Sequence, residues 1–219
     1  GNPLGSGGGI CIYGSGNGGG PCYPIITGCT FTDNTSKYYT GGAIHNNDWN
    51  TSMALTDCHF GGNSAYARGG AFCAEGGTFT FTDCTFSDNS GSQGGAFQGG
   101  YAASITLSTC QFTNNTANDT NPYDCLGGGV YLEGNSTLSM SDCGFTGNQS
   151  ANGNGGAVYT YHDSSLTAEN CTFDGNSAIG GGAMELTSDE VLTNCTFTNN
   201  TAEYAGGALY MGEWNVTPT

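Results

Sequence analysis

Cysteine is the side chain with the most chemistry in this sequence: eleven of 219 residues are cysteine. Seven of them, Cys29, Cys58, Cys84, Cys110, Cys143, Cys171 and Cys195, each stand two residues before a phenylalanine: Phe31, Phe60, Phe86, Phe112, Phe145, Phe173 and Phe197. A thiolate metal site needs Cys-x-x-Cys spacing or histidine neighbours, and neither accompanies this series. No metal or cofactor site is expected. Cys11, Cys22, Cys73 and Cys125 fall outside the series and are the candidates for disulfides. The odd total leaves at least one cysteine unpaired or bonded to another chain. So many cysteines favour an oxidising, secreted setting.

Carboxylates are the next chemistry to weigh. Glycoside hydrolysis takes two of them, about 5–5.5 Å apart for retention or about 6.5–9.5 Å for inversion. Asp57 and Asp83 both precede a cysteine of the series and approach the shorter spacing if consecutive repeats stack. No insertion or aromatic platform flanks them, so they read as solvated acids on an outer face. Polysaccharide lyases rely on Lys or Arg, and the chain offers only Lys37 and Arg68. His45, His59 and His162 occupy unrelated slots and suggest no triad. Asp119/Asp124 and Asp189/Glu190 lack the ordered ligand spacing of a calcium loop. No catalytic residue is assigned, and the chain is not expected to be an enzyme.

The formal net charge of −16 repels phosphate, which argues against nucleic acid and anionic membranes as partners. No apolar run approaches the ~20 residues of a membrane span, so no membrane insertion is expected. Only 9% of residues are charged, against the roughly 25–35% of a well-solvated surface. Glycans are the expected substitute. Asn-x-Ser/Thr occurs ten times. Asn34 and Asn148 belong to a repeated slot expected at a corner and are poor acceptors if that slot is buried. Asn50, Asn114, Asn118, Asn135, Asn170, Asn194, Asn199 and Asn215 remain as glycosylation candidates.

All these residues sit in repeats. Cys-x-Phe-x-x-Asn occurs seven times, ending at Asn34, Asn63, Asn89, Asn115, Asn148, Asn176 and Asn200. It alternates with Gly-Gly-Ala plus an apolar residue, as in Gly41-Gly42-Ala43-Ile44 and Gly94-Gly95-Ala96-Phe97. Apolar residues alternate, as in Thr78-Phe79-Thr80-Phe81-Thr82, and the linking residues build turns. The expectation is an all-β parallel β-helix of about eight coils and roughly 26 residues per coil, with about three short strands in each. It forms a single domain over 1–219, with a Gly-rich coil at 1–28, regular repeats over 29–211 and an incomplete coil at 212–219. Equivalent slots then stack at ~4.8 Å. Cysteine and phenylalanine point inward as an interior ladder of inert thiols and rings, while the asparagines turn corners and bond to one another. The rows after each Cys and each Phe are rich in threonine but broken, which argues against ice binding by those rows.

Alternating Gly-Gly-Ala-[Ile/Val/Leu] and Phe-x-x-Asn resembles the polymorphic outer membrane protein repeat of bacterial surface autotransporters. The resemblance covers about residues 8 to 210. It implies a right-handed parallel β-helix at a cell surface with a structural or adhesive role. The cysteine before each phenylalanine departs from that pattern, and no barrel domain accompanies it. The series opens at Gly8-Gly9 and stops in mid-coil after Trp214. Half-coils that complete each other head to tail would make a homopolymer, so the expected function is a glycosylated, extracellular filament subunit. The alternatives are a carbohydrate-active β-helix enzyme and an excerpt of an adhesin passenger domain.

Overall fold

The computed structural model describes residues 7–13, 22–121, 124–161, 163–187 and 190–212. His162, Asp189 and Asn215 lie outside the described residues. The regular structure within them is strand throughout, arranged as one eight-stranded and three seven-stranded sheets. Every pairing is parallel and joins equivalent positions of consecutive repeats, as in Phe86↔Phe112 and Phe79↔Ile105. The architecture is a parallel β-helix. Complete coils number fewer than the eight expected, and they average about 28 residues rather than 26 because the stretch between Cys110 and Cys143 carries extra chain.

Each winding holds four strands, not three. One winding runs through Phe72–Glu75 in the first sheet, Thr78–Thr82 in the second, Thr85–Ser87 in the third and Ser90–Gly91 in the fourth. In the first five windings the fourth strand has only two residues, too few for alternation to register in a sequence. Four corners turn each winding; the one between the first and second strands here takes two left-handed residues, Gly76 (φ 81°) and Gly77 (φ 97°), while the other three are each turned by one. In this winding they are Asp83 (φ 52°), Asp88 (φ 56°) and Gly94 (φ 65°). Aspartate, asparagine and glycine recur at these slots because they visit that region at least cost. The left-handed residue at the third corner is the one before the ladder asparagine, not the asparagine itself.

The asparagines are buried from Asn63 to Asn176 and form a saturated ladder. Each Nδ2 donates to the Oδ1 of the next asparagine at 2.9–3.0 Å. It donates as well to the phenylalanine carbonyl of the preceding winding at 2.9–3.0 Å. Each Oδ1 also accepts the backbone N–H of the preceding asparagine. Beside this ladder the seven phenylalanines stack with centroids 4.6–5.0 Å apart and ring planes within 13°. Such pairs contribute about 0.5–1.5 kcal/mol each beyond burial. The rings at the ends of the stack, Phe31 and Phe197, are only partly buried because one face of each lacks a covering winding.

Candidate functional site

The cysteine column is where alternation places it. Cys58, Cys84, Cys110, Cys143 and Cys171 are buried, Cys195 is intermediate, and Cys29 is exposed at the first winding. All seven thiols donate to the carbonyl two residues earlier at 3.2–3.5 Å, across the left-handed corner residue. Their recurrence thus has a structural cause that spacing alone did not disclose: a small buried donor closes the second corner. Burial pushes the Cys58 thiol up; contact with Cys143 and then Cys84, ahead of burial, pushes Cys110 up, and contact with Cys143 followed by burial pushes Cys171 up.

Cys11, Cys22, Cys73 and Cys125, the disulfide candidates, are each free in the structure, as are the other seven cysteines. Cys11 and Cys73 share one outward row of the first sheet, but His45 stands between them, so they are two windings or about 10 Å apart. That exceeds disulfide reach. Buried Cys73 contacts Gln98 Oε1 at 2.9 Å, and burial raises its pKa. Cys125 is buried beside the fourth sheet, where it donates to the Ala117 carbonyl at 3.1 Å. Cys22 is exposed.

Asp57 and Asp83 are exposed left-handed corner residues in adjacent windings, with φ of 53° and 52°. Asp83 accepts a hydrogen bond from Thr109 of the next winding. Their conformation accounts for aspartate at both positions. Of the sequons, Asn50, Asn114, Asn118, Asn135, Asn170, Asn194 and Asn199 are exposed, whereas Asn148 is buried in the ladder. Asn170 and Asn194 are stacked neighbours, with Nδ2 of the second 3.4 Å from Oδ1 of the first.

Two surfaces escaped the sequence reading. The outer face of the second sheet is a lattice of hydroxyls: Thr78, Ser104, Thr137 and Ser165 form one column and Thr80, Thr106, Ser139 and Thr167 another, all exposed and in register. The Thr-x-Thr-x-Thr alternation was its signal. The outer face of the first sheet is, by contrast, covered by the loops beside it. His45, Cys73, Gln98, Tyr131, Tyr159 and Glu185 point away from the apolar core yet are at most 3% exposed. Burial without a compensating charge lowers the His45 pKa to about 4, while Thr40 Oγ1 stands 2.7 Å from its Nδ1. Burial also raises the tyrosine pKa of Tyr131 and the carboxyl of Glu75.

Glu133 anchors this face. Its Oε1 accepts from Arg68 and from Gln98 Nε2 (3.2 Å), and its Oε2 from Tyr131 Oη (3.1 Å). Beside it opens a cleft of about 240 Å³ lined by Tyr101, Glu133, Gly134, Tyr161 and Asp163. Among the described residues no cluster of three or more histidine, cysteine or acidic side chains has the arrangement of a metal site.

Stacked coils, in-register columns and left-handed residues at the corners define a β-helix repeat protein. The family model for the right-handed β-helix region matches residues 4–151 and again 144–217, and the chain belongs to that family. No curated protein and no solved structure matched the chain.

Proposed function

We propose that this protein is an extracellular structural glycoprotein, a β-helix rod displayed at a cell surface, adhesive through its sides and able to associate end to end. The observation that carries this reading is the unbroken stacking of the asparagine and phenylalanine columns beneath an exterior of hydroxyls and exposed sequons. Such construction specifies length and stiffness, and its chemistry goes into columns that hold coils together. In this reading the protein is not an enzyme, and Asp57 and Asp83 serve as corner residues. The finer affinity, with the polymorphic outer membrane protein repeat, is supported by the Gly-Gly-Ala and Phe-x-x-Asn slots.

The test is made on protein secreted from a glycosylating host. Intact mass should exceed the polypeptide mass by whole glycans, and sedimentation with electron microscopy should resolve rods that lengthen with concentration in steps of one molecule. Unmodified, monodisperse particles that release reducing ends from polysaccharides would instead establish the carbohydrate-active alternative.

A further inference from the structure

We propose that the cleft between Tyr101 and Tyr161 binds an alkylammonium cation, the group carried by methylated lysine side chains and by choline-like small molecules. Its parts come from three consecutive windings. Tyr101 follows the first-sheet strand Phe97–Gly100, Glu133 and Gly134 follow Val130–Leu132, and Tyr161 and Asp163 follow Val158–Thr160. The register pairs Gly99 with Leu132 and Leu132 with Thr160, so the two tyrosines stand two windings apart. Two windings span about 10 Å. Both tyrosines line the one cleft, where a cation within ~6 Å of a ring face is attracted to it; Tyr161 also stacks on Tyr159 with ring centroids 6.5 Å apart.

The middle winding leaves the space open. Gly134 has φ of 62° and brings no side chain to the cleft it lines. Both rings are accessible, Tyr101 at 51% and Tyr161 at 38% exposure. The charges suit a monocation. Glu133 is held at the cleft floor by Arg68, Gln98 and Tyr131, and Arg68 offsets its charge. Exposed Asp163 adds a second carboxylate to the cleft lining. Two aromatic faces add selectivity that carboxylates alone lack: an alkylated ammonium sheds water onto them readily, whereas a sodium ion keeps its hydration shell. The proposal stands independently of the structural role above.

Tetramethylammonium, a trimethyllysine peptide and the neutral isostere 3,3-dimethyl-1-butanol would be titrated against the intact protein by calorimetry and saturation-transfer NMR at constant sodium chloride. The two cations should saturate at one site and the isostere should not. Tyr101→Ala and Tyr161→Ala should each weaken binding about fivefold, the loss of one ring–cation contact of ~1 kcal/mol. Tyr101→Phe should retain it, and Asp163→Asn should weaken it and flatten its salt dependence. Tighter binding of the peptide than of tetramethylammonium identifies a cationic polypeptide as the source; equal binding identifies the free cation. The proposal is overturned if neither cation saturates, if both alanine variants bind like the parent while circular dichroism stays unchanged, or if the isostere or cellohexaose displaces tetramethylammonium.

Discussion

Single residues in this molecule are chosen by the slot they fill in a winding. Cysteine recurs because its thiol bonds across a left-handed corner, and aspartate recurs just before it because that corner needs a residue tolerant of φ near 53°. His45 is the exception with a pH consequence. It is 2% exposed, and its folded-state pKa falls from 6.5 to about 4 through burial. The groups around it include Cys11 and Cys73 in its own row, Tyr13 at 5.9 Å between ring centroids, and Thr40. Because the native state holds His45 neutral while the unfolded chain protonates near pH 6.5, stability is complete above that pH. It declines as pH falls towards 4, by about 3 kcal/mol in total. Urea denaturation at pH 7.5 and pH 4.5 should record most of that loss, and His45→Gln should remove the part belonging to this residue. An unchanged pH profile in the variant would refute the assignment.

At the scale of the element, a strand here is stable only as one rung of a ladder. Asn115 illustrates the coupling: its amide bonds to Asn89, Asn148 and the Phe86 carbonyl, so it ties three windings together. Asn115→Ala should cost about 3 kcal/mol or more, since it leaves buried partners on both sides short of a bond. Gly95 tests a different constraint. A Cβ there would lie 2.1 Å from the Gly128 carbonyl oxygen, so Gly95→Ala must separate adjacent windings. A midpoint shift at least as large as that of Asn115→Ala is expected in thermal melts. If Gly95→Ala melts like the parent, close backbone approach does not govern this corner.

The whole molecule combines a net charge of −16 with few ionised side chains, and its exterior is solvated by hydroxyls and amides. Glycan occupancy tests this directly under the proposed extracellular role. Asn170 and Asn194 are one rung apart with their amides 3.4 Å from each other, so two sugars cannot occupy both. Glycopeptide mass spectrometry should find at most one of the pair modified in any molecule, whereas well-separated Asn50 and Asn135 should be modified independently. Frequent double occupancy of Asn170 and Asn194 would show that these side chains diverge more than the stacked geometry allows.

How much was legible in the sequence follows from what repeats. The β-helix, the inward cysteines and phenylalanines and the asparagine ladder could be read because each recurs at one slot, and stacking converts sequence period into spatial column. The fourth strand, two residues long in the first five windings, was too short there to leave a periodic trace. The free state of Cys73 depended on which row it shares with His45, and the cleft depended on Tyr101, Gly134 and Tyr161, which belong to no repeat unit. The sequence by itself determined that equivalent positions stack, because a repeated residue can bury itself only against its own copies. Only the tertiary structure decided which unrepeated side chains face one another across windings, since that follows from the length and path of each corner rather than from any period.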